Sequence, residues 1–154
     1  MAFDFYAACN ALAARYAPGT ITAPTGEQAM RAAFGQDPNG ISQSPCVVIF
    51  PKDGDIIYGN GDKKGEYRVD VNFYLAKSTA DYKRLDASRQ RWLVPLLAAT
   101  DGQSLLGLGG SGTVVKAIPT TWEFAQLLYG DFTWEGIVIH VTIFTDEPVT
   151  LVAA

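Results

Sequence analysis

Residues 65–77 read GEYRVDVNFYLAK, and the phase of this stretch decides the fold. Its odd positions, Tyr67, Val69, Val71, Phe73 and Leu75, are apolar. Its even positions, Glu66, Arg68, Asp70, Asn72, Tyr74 and Ala76, are largely polar. Successive side chains of a strand point to opposite faces, so this alternation separates an apolar face from a polar one; a helix would scatter the same residues around its circumference. β-Branched and aromatic residues favour a pleated surface, and no Pro interrupts the run. The stretch predicts a strand of an antiparallel sheet, one face on a core and the other toward water or a partner.

Upstream, residues 46–50, CVVIF, predict a short strand ended by Pro51. Residues 52–66, KDGDIIYGNGDKKGE, carry Gly54, Gly59, Gly61 and Gly65 among charges and read as an extended, mobile hairpin loop that adds little to stability. Residues 21–44 read as a long connection, with a short helix after Thr25. The N-terminal segment places Phe3, Tyr6, Ala7, Asn10, Ala13, Ala14 and Ala17 on one helical stripe closed by Pro18 and Gly19.

Downstream, Ser78 or Thr79 is expected to cap a helix over residues 80–99. Tyr82, Leu85, Trp92, Leu93, Leu96 and Leu97 form its apolar side; Lys83, Arg84, Arg89 and Arg91 lie largely opposite, and Pro95 should kink or end it. A glycine-rich connection over residues 101–112 leads to strands at 113–118 and 122–129. Gly130-Asp131 then turns the chain into a last strand, 132–145, where Ile137, Ile139, Val141 and Ile143 repeat the alternation. The order predicts a single α+β domain over residues 1–154: a mainly antiparallel sheet with helices packed on one face.

The chain has 154 residues and a formal net charge of −4. That length suffices for a real core without covalent staples, and the mild acidity argues against a protein that coats nucleic acid by neutralising phosphates. No apolar run is long enough to cross a bilayer. The N-terminus has Asp4 early and its basic residue, Arg15, late, so it reads as part of the folded chain rather than a leader. Cys9 and Cys46 stand far apart beside apolar neighbours and read as buried free thiols.

Chemistry-bearing patterns are few. Residues 107–112, GLGGSG, match the dinucleotide fingerprint in spacing, but a helix precedes them and a strand follows, the reverse of what pyrophosphate binding needs. His140 is the single histidine, placed mid-strand opposite Ile139 and Val141, and reads as a strand histidine bonded to a neighbour. Asp53, Asp55 and Asp62 lack the spacing and the closing Glu of a calcium loop. No nucleophile elbow is present. No cofactor and no metal are expected. Trp122, Phe124, Tyr129, Phe132 and Trp134 gather about one hairpin; some must be core, and aromatics left exposed there would favour protein contacts.

Taken as a layout, the chain resembles the tail terminator proteins of long-tailed bacteriophages and their neck and tail-completion relatives. The resemblance runs from about Cys46 to Glu147: the CVVIF-Pro strand, the charged glycine loop, EYRVDVNFYLAK leading directly into STADYKRLDASRQRWLVPLLAA, a small-residue loop, then TVVKAIPTTWEFAQLLYGDFTWEGIVIHVTIF. It is one of pattern rather than of a residue signature, and residues 20–44 depart from the compact members. It implies a non-enzymatic virion protein, assembled in the host cytoplasm into a ring, typically hexameric. Such a ring caps the tail-tube protein, meets a neck or head-completion protein, and lets DNA pass through its lumen without specific binding. Under this reading Lys52, Asp53, Asp55, Tyr58, Lys63 and Lys64 of the charged loop, with Trp122, Phe124 and Trp134 of the aromatic hairpin, are the expected partner-binding residues. A head-side neck or connector protein is the alternative within that class; a small-molecule-binding α+β domain with a pocket under the glycine-rich segment is the alternative outside it.

Overall fold

The alternating stretch is the middle of a longer strand. In the computed structural model, which describes residues 3–78, 82–100 and 114–148, the elements are α1 (Phe5–Ala14), β1 (Ala32–Phe34), β2 (Cys46–Tyr58), β3 (Asp62–Lys77), α2 (Tyr82–Thr100), β4 (Val114–Tyr129) and β5 (Phe132–Pro148). The five strands form one sheet in the order β1-β2-β3-β5-β4. Only β1–β2 is parallel; the other three pairings are antiparallel. The fold is α+β, with a mainly antiparallel sheet.

The phase predicted for residues 65–77 is the phase observed. Val69, Val71 and Phe73 are buried in one cluster with Ile137, Ile139, Val141 and Ile143 of β5, Leu12 of α1, and Trp92 and Leu96 of α2. Phe73 and Trp92 meet with ring centroids 5.1 Å apart. Leu85 is buried too. Each such side chain contributes about 1.5–3 kcal/mol on leaving water. The Asp4 carboxylate caps α1 by accepting from the Ala7 amide at 3.1 Å, and the Tyr16 and Thr100 hydroxyls join the ends of the two helices inside the core.

Several expectations are corrected. Residues 52–64 are not a loop: β2 continues to Tyr58, β3 starts at Asp62, and the two pair in register from Asp53↔Arg68 to Tyr58↔Lys63 around a turn at Gly59–Gly61. Gly61 has φ +85°, the left-handed conformation that a tight turn demands. Glycine and charge signalled a turn across the whole segment, yet the pairing with β3 persists through it; Pro51 sits at a bulge, where a missing N–H is tolerated. Residues 113–118 and 122–129 are likewise not two strands. From Val114 onward they form the single strand β4, kinked by irregularities at Val114/Lys116 and Pro119/Thr121.

No helix follows Thr25. Gly26 turns the chain with φ +85°, Arg31 donates its amide to the Pro45 carbonyl at 2.9 Å, and Ala32–Phe34 pair with β2. Long-range pairing overrides the helical propensity of the Ala-rich run. Pro95 does not end α2, because Trp92 and Leu96 are fully buried on either side of it and hold the last turn against the sheet. The Ser78 hydroxyl donates to Glu135 at 3.0 Å instead of capping α2, and Thr79 lies outside the described residues, as does the glycine-rich segment. Arg89 is drawn inward to the same Glu135, which is buried and also accepts from Gln126 at 2.9 Å. One carboxylate thus ties α2, β4 and the end of β3 to β5.

The second face of the sheet is covered at one end as well. Cys46, Val48, Tyr74 and Trp134 are buried there beneath Phe34 and Ile41, so part of the long connection is a lid over this face. Gly136 lets β5 and β3 meet closely beside it: a Cβ at that position would lie 2.2 Å from the Phe73 carbonyl oxygen. Both cysteines are free and buried, as their neighbours suggested.

Candidate interaction surface

The far end of the β2–β3 hairpin holds most of the expected partner-binding residues. Lys52, Asp53, Asp55, Tyr58 and Lys64 are exposed, and Lys63 is half-buried. Alternation puts Asp53 and Asp55 on the second face, opposite Arg68 and Glu66 of β3. Arg68 grips both acids, Nε to Asp53 at 2.7 Å and Nη2 to Asp55 at 2.9 Å. Those two bonds hold its guanidinium pKa above the usual value. This fork fixes the geometry of the hairpin across the bulge at Lys52. Being exposed, it adds little stability.

Ile56 and Tyr58 lie on the helical face and Ile57 on the other, and all three are largely exposed, at 49%, 67% and 63%. Among the described residues, none of the three belongs to a hydrophobic core cluster. β1 pairs with β2 only at Cys46–Val48, so among the described residues no strand covers the outer edge of β2 beyond that point. Pro51 and the bulge protect the near part of this edge; residues 53–58 run on without Pro or bulge and present a row of backbone donors and acceptors.

The other edge is β4. Its first half is blunted by Pro119 and two irregularities, while residues 121–129 pair regularly with β5 and, among the described residues, have no strand on their outer side. Trp122 is 43% exposed and packs edge-on against Phe124, at 5.0 Å between centroids. Phe124 is half-buried against the core, with the Arg89 guanidinium over its ring at 5.3 Å. Leu128 and Phe132 are exposed at the hairpin end, and Lys77 lies over the Phe132 ring at 3.7 Å. Trp134 must be removed from the partner-binding set: it is buried on the second face against Tyr74, at 6.1 Å. It shares that cluster with Cys46, Val48 and Tyr74 and with Phe34 and Ile41 of the long connection, neighbours that no local pattern announces.

The polar phase of β3 builds a feature that sequence reasoning did not assemble. Asp70 Oδ1 and His140 Nδ1 are hydrogen-bonded at 2.6 Å, and Glu123 stands 3.8 Å from Nε2, one residue from each of three adjacent strands. The expected neighbour of His140 is therefore Asp70. An Asp–His pair orients an imidazole, but acyl-transfer chemistry also needs a nucleophile on Nε2, and Glu123 occupies that side. Among the described residues, no group of three His, Cys, Asp or Glu side chains is placed to hold a metal, and no helix is long and apolar enough to cross a membrane. The chain matches no model of a known protein family, and no curated protein matches it.

Proposed function

We propose that the chain is a structural subunit of a closed ring, of the kind that ends the tail tube of a long-tailed bacteriophage and offers the head a surface to join. The observation that supports this reading is one sheet that, among the described residues, has an open strand edge on each side, β2 beyond Val48 and β4. The two edges differ in sequence, so they favour a head-to-tail contact over a two-fold one, and a head-to-tail contact whose rotation closes makes a ring. Pairing residues 53–58 of one copy with β4 of the next satisfies both rows of backbone groups and covers Ile56, Ile57, Tyr58 and Trp122. The net charge of −4 suits a lumen through which DNA slides without sticking. No catalytic step is asked of the protein.

The test is a tube-length assay. Tail-tube subunits are polymerised with and without the protein, and lengths are measured by electron microscopy. Capped tubes of reduced length are expected. Unchanged tubes that leave the protein free would exclude the terminator role, and rings that bind only the head side would move it to the neck.

A further inference from the structure

His140 is the single histidine of the chain, and it stands on the second face of the sheet between two carboxylates. Asp70 of β3 meets its Nδ1 at 2.6 Å, and Glu123 of β4 lies 3.8 Å from its Nε2. The imidazole side chain is 30% exposed, so protons reach it from solvent. Two cations share its surroundings: Lys52 and Arg68 line the same open hollow of about 320 Å³ as Asp70 and His140. Arg68 is turned toward Asp53, Asp55 and Glu66. The charges set against the two ring nitrogens are therefore both negative, one from each flanking strand. A neutral imidazole carries one N–H and one bare lone pair. With the proton on Nδ1, the lone pair of Nε2 faces Glu123. With the proton on Nε2, the lone pair of Nδ1 faces Asp70 at hydrogen-bond distance. Only the imidazolium, with a donor on each nitrogen, satisfies both carboxylates.

We propose that His140 is a proton-operated clasp that ties the outer strand β4 back across β5 to β3. Protonated, it donates to Asp70 and draws Glu123 in. Deprotonated, it keeps Asp70 through the Nδ1 proton and releases Glu123, whose side chain is 63% exposed and turns to water. The clasp is closed on the acid side and opens as pH rises through the imidazole titration, a change that histidines make between about pH 5 and 8. Glu123 comes just after the irregularity at Pro119/Thr121, at the start of the stretch of β4 that has no strand on its outer side among the described residues. Its release therefore acts on the order of this edge rather than on the core, and an exposed pair of this kind changes global stability little. The inference stands apart from the ring reading, since a single copy contains the whole clasp.

One histidine gives one imidazole signal, so the test is an NMR titration of its Cε1–H against pH, on the full chain at constant ionic strength and at a concentration where it is monomeric. Glu123→Gln should lower the midpoint, Asp70→Asn should lower it further, and Asp131→Asn at the β4–β5 turn should leave it in place. Amide exchange then reads the effect on the edge. Relative to their intrinsic rates, the amides of residues 121–127 that bond to β5 should be about threefold better protected at about pH 5.5 than at about pH 7.5. That difference should vanish in His140→Gln and, independently, in Glu123→Gln, which replaces an exposed side chain and leaves the core untouched. An unshifted midpoint in Glu123→Gln, equal protection at the two pH values, or a pH difference retained by both variants would overturn the proposal.

Discussion

Phe73 is fully buried between the sheet and α2, its ring against Trp92. Phe73→Ala should cost about 3–5 kcal/mol in urea unfolding, and a loss under about 1 kcal/mol would put the apolar phase of β3 on the wrong face. Cys9 and Cys46 sit in the same kind of surroundings. Burial pushes their thiols from 9.0 up to about 11 and about 12. The unfolded chain therefore loses these protons first, so the stability they contribute is intact below pH 9 and falls as pH rises from 9 through 11 to 12. Iodoacetamide at pH 8 should leave both unlabelled until urea is added; rapid labelling of the native protein would contradict their burial. At this scale the sequence was readable wherever alternation assigns a face, as at Val69, Val71 and Ile139. It was not readable at Trp134, where alternation gives the face but the burial comes from a cluster gathered from Tyr74, Cys46 and Val48 with Phe34 and Ile41 of the long connection.

The β2–β3 hairpin shows the same limit among elements. Asp53-Gly54-Asp55 and Gly59-Asn60-Gly61 both carry turn chemistry, and only the second is a turn. Pairing with β3, itself held by β5 as far as Asp62↔Pro148, keeps residues 53–58 extended. Hydrogen exchange separates the two descriptions. In isolated subunits, amides over residues 53–58 should alternate, those facing β3 slow and those on the open edge fast, and the fast set should become protected on assembly. Uniformly fast exchange would restore the mobile loop. Strands β3 and β5 were legible because each has a strong period of its own, and α2 because Leu85, Trp92 and Leu96 share its buried side. Helix α1 was legible as a helix but not in its face, since Tyr6, Asn10 and Ala14 of the expected stripe are exposed and Ala8, Cys9, Leu12 and Tyr16 are buried instead. Strand β1 has three residues and draws its stability from β2, and the kinks in β4 at Pro119 mimic the gap between two strands.

For the whole molecule, composition and element order were enough to indicate an α+β domain. Strand order was not: β5 inserts between β3 and β4, a choice made by packing Ile137, Ile139, Val141 and Ile143 beside Val69, Val71 and Phe73. That insertion leaves β4 rather than β5 as an outer strand, opposite β2 beyond the short β1, and among the described residues these are the two open edges on which the proposed ring rests. The measurement that bears on it most directly is sedimentation velocity across a wide concentration range, on the native chain and on Ile57→Lys. The native chain should pass from monomer to a single closed ring, with no stable dimer between, and the lysine on the open edge should abolish the ring without unfolding the subunit. A two-fold dimer at every concentration, or a ring indifferent to Ile57→Lys, would contradict assembly through the β2 edge.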